Sequence, residues 1–587
     1  MALLTAPPAD ARPAPGAASA ASGAEPQPLP LVRLFDNAAV GDPAAPGRAD
    51  FDGQGAALPA PDLAAAGWTP GRRLTLERAA LTWPDRRPGT PDNVRADGQA
   101  VKLHGRGDAL AFLVAGTGGT ASGTGTVHYR DGHRGTFRLT APDWRTGPLA
   151  TKAVALPHVL TPEGPVDARA RLYAKTVPVD PERQVVRVDL PRTGGTSGGA
   201  PVLHVFALTV RPATAGWSGT WAASTSGHGA LGPWSDRTLR LAVHTSVGGA
   251  RVRVRWDNTF AGAPVRIGRA TVAVQSAGAE ARGTPVPLSF DGAPDTVLPA
   301  GAQQFSDPLP FAVPAGSTLL VSFRLPETVA SAPLHRESRA PSWVSAPGDH
   351  TGDPTGESYT AANFGWPLLA GVDVSGGPGS VALLGDSITD GVGSTPGADH
   401  RWPDRLAERL AAQRRVPHYG VLNEGISANR VLADRYPGDG VSTDFGGVSA
   451  LHRLDRDLAA QTSVRTVVLF LGVNDVRWGE TAPRVEAGLA ELAGRARERG
   501  LRVLAATITP CEGEKLCTPA ADAERTAVNR QLREHRADFD GLLDFDQVLR
   551  DPAHPSRLLP AYDSGDHLHP GDDGLAALAD SVPLELL

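Results

Sequence analysis

The segment Gly385-Asp386-Ser387-Ile388-Thr389-Asp390-Gly391 follows directly on the apolar run Val381 to Leu384. It places a hydroxyl where a buried parallel strand gives way to a loop and helix, the position at which open α/β sheets carry their sites. A serine hydroxyl becomes a nucleophile only when a neighbouring base takes its proton. The base on offer stands far down the chain, in Asp566-His567-Leu568-His569-Pro570. Asp566 and His569 are three residues apart there, so one turn of chain brings the carboxylate to the imidazole it must orient. His567 lacks that support and reads as a surface neighbour. Attack on an ester carbonyl also needs donors aimed at the developing oxyanion. Gly425, in Asn423-Glu424-Gly425-Ile426-Ser427, offers a backbone N–H, and Asn474, in Gly472-Val473-Asn474-Asp475, offers a side-chain amide. Asp390, Arg430 and Asp475 lie beside these motifs. They are candidates for touching substrate, with Asx turns and ion pairs as the competing explanation.

These side chains need a scaffold that brings distant segments together. From about 377 to 587 the apolar runs Val381 to Leu384, Val467 to Leu471, Val503 to Ile508 and Leu542 to Phe545 alternate with amphipathic stretches at Pro403 to Arg415, Pro483 to Arg499 and Ala520 to Arg536. Strand, helix, strand, helix predicts a parallel sheet between two helical layers. Upstream the pattern is all-β. Residues 31–212 carry short alternating runs such as Leu110-Phe112-Val114, and Gly123 to Trp144 reads as a hairpin about Asp131-Gly132. Residues 217–376 form a second β-rich block with Val252-Val254-Trp256 and Leu320-Ser322-Arg324, joined to the first by Arg211 to Gly216, either a linker or a tight corner in one larger sandwich. The expected architecture is multidomain, with two all-β, sandwich or jelly-roll-like domains before a three-layer α/β/α domain. Residues 1–30, rich in Ala and Pro, read as a disordered lead-in that is not an intact signal peptide.

In order and spacing, the four motif segments resemble the four sequence blocks of the SGNH or GDSL-type hydrolases, from Val381 to the C-terminus. The resemblance implies a serine esterase. In it Ser387 is nucleophile and oxyanion donor, Gly425 and Asn474 are the other donors, His569 is base and then acid, and Asp566 orients His569. Ile388 stands where the GDSL name has Leu, an apolar exchange without catalytic consequence. The first block is similar to β-sandwich modules of secreted bacterial glycosidases. Trp68, Trp83 and Trp144 are there either sugar-stacking platforms or core. The second resembles the β-rich segment that precedes the catalytic domain in multidomain carbohydrate esterases of this superfamily. Asp257, Asn258, Asp349 and His350 are there either rim residues or turn formers.

Composition narrows the partners. The formal net charge is −6, positive charge is carried almost wholly by Arg, and no long basic block occurs, which argues against nucleic acid. No apolar run approaches the roughly 20 residues of a membrane span. Cys511 and Cys517 are six apart in a Pro- and Glu-bearing stretch. They read as a loop disulfide and hence an oxidising, secreted setting. No metal or other cofactor is implied. The expected substrate is an acylated carbohydrate. Lipid, feruloyl and polyester esters use the same triad, and a binding protein with a vestigial hydrolase fold, or a glycoside hydrolase with paired carboxylates, are readings from other classes.

Overall fold

The computed structural model describes residues 27–193, 200–230, 232–535 and 538–587. Most of the expected lead-in, residues 1–26, lies outside the described residues. Leu29 already donates to Ala100 O and accepts from Lys102 N, so the first β block begins before Pro30.

The C-terminal region is a parallel sheet of five strands: β1 (Ser380–Gly385), β2 (Gly420–Gly425), β3 (Val464–Phe470), β4 (Arg502–Ala506) and β5 (Gly541–Leu543), in the order β2-β1-β3-β4-β5. A strand buried on both faces reads as a continuous apolar run, because alternate side chains enter different cores. Val381 and Leu383 pack on one face with Trp402, Leu406 and Leu410 of α2 (Trp402–Ala412) and Leu575 and Leu578 of α8 (Asp572–Ser581). Ala382 and Leu384 pack on the other with Val485, Leu489 and Leu492 of α5 (Ala482–Arg497) and Val528 and Leu532 of α6 (Pro519–Glu534). Short helices α1 (Ser387–Asp390), α3 (Ala450–Leu454), α4 (Val473–Arg477) and α7 (Phe545–Leu549) complete the layers. The neighbours β2 and β3 flank β1, so the crossovers leave β1 in opposite directions and open a crevice at its C-terminal end.

The upstream region is all-β, as expected. Strand Ala109–Thr117 is buried along its whole length. Leu110, Phe112 and Val114 face the core shared with Val127, Phe137 and Val188, whereas Ala111, Leu113 and Ala115 face one containing Trp68, Trp83 and Trp144. The expected hairpin is present as Ala121–Tyr129 paired with Arg134–Ala141. Trp68, Trp83 and Trp144 are each at most 3% exposed. The sugar-stacking alternative is therefore corrected: their rings fill the core, Trp83 stacking on Phe206 and Trp144 meeting Phe51 edge to face.

Hairpin Arg73–Leu76/Ala79–Thr82, from within the first expected block, extends the sheet that holds Trp217–Ala222, Leu369–Ser375 and Gly249–Asp257 of the second. The two β blocks thus share a sheet across the Arg211–Gly216 segment. Asp257 and Asn258 are buried, accepting from Thr259 N and donating to Ala263 O respectively, and Asp349 accepts from Thr351 while His350 bonds Asp353. Turn bonds, with Gln303 on Asp257 and the Leu298 carbonyl on Asn258, account for all four, and the rim alternative is set aside.

Candidate active site

β1 ends at Gly385, and Asp386 caps α1 by accepting from Ile388 N at 3.1 Å. Burial pushes the Asp386 carboxyl up to about 7. Ser387 is the first residue of α1, where a backbone N–H has no partner within the helix. Glycine is needed twice around it. Gly391 leaves α1 at φ +105°, and Gly393, at φ +95°, passes so close beneath His569 that a Cβ would stand 2.3 Å from Pro570 O.

The structure brings Ser387, His569 and Asp566 together across 182 residues of chain: Ser387 Oγ lies 2.8 Å from His569 Nε2, and His569 Nδ1 lies 2.6 Å from Asp566 Oδ2. A carboxylate only accepts, so Nδ1 carries the proton and the bare Nε2 accepts from the serine hydroxyl. Asp566 Oδ1 also accepts from the backbone of Leu568 at 3.0 Å and His569 at 2.8 Å. Partial burial pushes the Asp566 carboxyl up, but the His569 ring and these N–H groups outweigh it and hold the group well below the usual carboxylate range. His567 turns away, bonded to Asp563 and exposed.

The candidate oxyanion donors divide. Asn474, on α4 after β3, donates from Nδ2 to Asn429 O at 3.0 Å and accepts at Oδ1 from Arg477 Nη1 at 2.9 Å. Gly425 needs correction. Its N–H is committed to Asn423 Oδ1 at 2.9 Å, and a Cβ on it would stand 2.3 Å from Asp390 N. Gly425 is glycine because β2 ends against the backbone of α1.

Three residues on, Ala428 sits at φ +62°, a conformation that alanine adopts at a cost. Its N–H makes no hydrogen bond among the described residues. Its neighbours hold it at the site: Ser427 donates from N and Oγ to Asp390 on α1, and Asn429 O receives the Asn474 amide. The signal for this position was the Ile-Ser-Ala-Asn turn after β2, which the Gly in the same motif overshadowed.

The three candidate substrate contacts are also corrected. Asp390 is 2% exposed and bonds His335 Nε2 at 3.0 Å as well as Ser427. Asp475 is fully buried, accepts from Val431 N and Leu432 N, and is pushed up to about 6 by burial. Arg430 is turned onto Glu480 at 3.1 Å. All three hold loops in place.

Sequence reasoning missed three further residues. Arg453, wholly buried, donates to Gly385 O, Glu424 O and Asn429 Oδ1, tying the ends of β1 and β2 together. His335 reaches in from the second β block. Trp478, 38% exposed, follows Asn474 by one helical turn and has Arg435 4.5 Å from its ring centre. Arg453 and His335 act through contacts distant in sequence. The Asn-to-Trp spacing of four was the only local hint.

Cys511 and Cys517 form a disulfide. No helix among the described residues is long and apolar enough to cross a membrane.

The family model described as GDSL-like Lipase/Acylhydrolase family matches residues 383–577. Among solved structures the chain is similar to a GDSL-like lipase from Bacteroides thetaiotaomicron, at 17% identity over 35% of this chain and 87% of that one, with a TM-score of 0.27. It is similar to a variant of an acetyl-xylooligosaccharide esterase from Geobacillus at 21% identity over 36% and 95%, TM-score 0.27. An acetyl xylan esterase is similar at 20% identity over 34% and 96%, TM-score 0.25. No curated protein matches the chain.

Proposed function

Because residues 383–577 form a domain of the GDSL-like lipase/acylhydrolase family, we propose that the chain is a serine esterase that removes short acyl groups, O-acetyl above all, from carbohydrate. The observation that carries the esterase reading is the unbroken line of contacts from Ser387 Oγ through His569 to Asp566. Ser387 Oγ attacks the ester carbonyl carbon while His569 Nε2 takes its proton, and Asp566 stabilises the imidazolium that results. The negative charge that gathers on the carbonyl oxygen is met by the N–H groups of Ser387 and Ala428 and by the Asn474 amide. Collapse expels the alkoxide, which takes the proton from Nε2 and leaves as the alcohol. Nε2 then draws a proton from water, whose oxygen attacks the acyl carbon. The second tetrahedral species collapses to acid, and Ser387 recovers its proton.

The short-acyl preference is supported by the surroundings of Trp478. Among the described residues, Trp478 is the aromatic one of the large apolar side chains more than about a third exposed; it lies one helical turn past Asn474, and its neighbours are Arg430, Arg435 and Arg477. A long acyl chain calls for an apolar groove, whereas an aromatic face among polar groups suits a sugar. The disulfide supports an oxidising, extracellular setting.

Hydrolysis of p-nitrophenyl acetate, butyrate and octanoate, and acetate release from acetylated xylan, test the proposal. Wild type is expected to favour acetate and to release acetate from the polymer, and Ser387→Ala to lose about 10⁴-fold or more in kcat. Octanoate preference would move the substrate to lipid-like esters, and a wild type as inert as Ser387→Ala would end the esterase reading.

A further inference from the structure

We propose that the Cys511–Cys517 loop positions the oxyanion site, acting through Glu514 and Arg477 on the side-chain amide of Asn474. The inference rests on the esterase reading above and assigns positioning roles to three elements outside the triad.

The disulfide closes the loop 511–517, whose backbone folds back on itself: Glu514 N donates to Cys511 O at 3.2 Å and Cys517 N to Glu514 O at 3.0 Å. Glu514 is held at the centre of this turn, its Oε2 accepting from Leu516 N at 2.8 Å. The same carboxylate receives Arg477 as a fork, Nε to Oε2 at 2.9 Å and Nη2 to Oε1 at 2.8 Å. A bidentate pair fixes the guanidinium plane as well as its place. The remaining nitrogen, Nη1, donates to Asn474 Oδ1 at 2.9 Å.

A guanidinium has donors only, so the Asn474 oxygen must face Arg477 and the NH₂ must face Asn429 O and the site. A flipped amide would aim a carbonyl oxygen at the place where negative charge develops. The Arg477 side chain is 9% exposed, so little water competes for these bonds.

The loop also bears on the other half of the site. Gly513, at φ +110°, lies against the ring of His567, where a Cβ would stand 2.9 Å away, and His567 separates Asp566 from Leu568 and His569. Both cysteines are anchored in the core beside Leu471, Ile508 and Leu568. One covalently closed loop therefore braces the oxyanion donor and the acid–base segment together.

The test is a double-substitution cycle on kcat and KM for p-nitrophenyl acetate. Asn474→Ala is expected to lower kcat by about 10²–10³-fold, the loss typical of one oxyanion donor. Arg477→Leu is expected to lower it by about 10–100-fold with KM within about threefold, and the double variant to fall no lower than Asn474→Ala alone. Cys511→Ser/Cys517→Ser should lose kcat in the manner of Arg477→Leu, and Arg477→Lys, which keeps a donor, should recover part of it. If Arg477→Leu does not fold, Arg477→Lys and Glu514→Gln carry the same cycle. Losses that multiply in the double variant, or a wild-type kcat in Arg477→Leu, overturn the inference while an active wild type leaves the esterase reading standing. A wild type inert on every ester ends both.

Discussion

At the scale of single residues, two small side chains three positions apart do opposite work. Gly425 lacks a Cβ because the backbone of Asp390 occupies that space, whereas Ala428 keeps its methyl in a left-handed turn that glycine adopts freely. Gly425→Ala forces β2 away from α1 and should cost at least about 2–3 kcal/mol as an overpacked contact. A displacement of α1 by even about 1 Å should cost on the order of 10²-fold in kcat. Ala428→Gly releases the strained φ at the cost of a looser unfolded chain, and should stabilise by about 0.5–1 kcal/mol with kcat within about threefold. Urea unfolding and p-nitrophenyl acetate kinetics on both variants check this, and a silent Gly425→Ala would refute the packing argument.

At the scale of elements, helix α1, which carries Ser387, is held by a strand of another block. His335, on Ala332–His335, donates from Nε2 to Asp390 on α1, and its Nδ1 donates to Ser224 O at 2.8 Å. Burial pushes the imidazolium down, and Arg401 adds to that, but the charge and hydrogen bond of Asp390 outweigh both and raise the His335 pKa above its ordinary 6.5. Folding therefore favours the protonated ring. The stabilisation is fully present below the unfolded value near 6.5, and is lost as pH rises through the higher folded value. The wild type should accordingly lose more stability between about pH 6 and pH 9 than His335→Gln, in which the uncharged amide removes this titration. Urea midpoints across that range decide it, since His244, also raised by Asp399, titrates in both proteins. Parallel curves would count against the pair.

At the scale of the whole molecule, the β region packs into the C-terminal α/β domain. Ser224 Oγ donates to Glu424 Oε2 at 2.6 Å, and Arg453 Nη1 donates to Ser224 Oγ at 3.1 Å. Arg255 reaches Ala460 O and Gln461, and Gly219 O presses on Gly420 so closely that a Cβ would stand 1.9 Å from it. Burial pushes Glu424 up to about 8. A chain reduced to 377–587 exposes Leu422 and strips partners from Arg453 and Glu424. Removing one partner of a buried charged cluster costs about 3–5 kcal/mol. That fragment should be insoluble, or folded without measurable esterase activity, when expressed beside the full chain. A soluble fragment with undiminished kcat would show the β region to be separable.

What the sequence by itself determined was the alternation of strand and helix in 377–587, the β character upstream, and the pairing of Asp566 with His569, which the fold then brings to Ser387. Each of these is encoded by neighbours a few residues apart: an apolar run ending in a helix cap, or an Asp three residues before a His. Tertiary structure alone decided which N–H groups are free to face a substrate and which acidic residues are spent on support. Gly425 and Ala428 share one motif, and only the side chain of Asn423 and the backbone of α1 tell them apart. Asp390 and Asp475 look like site residues until His335, Ser427, Val431 and Leu432 claim them. The hydrogen bonds that claim Asp390 and Asp475 join segments 37 to 55 residues apart, and no local pattern records them.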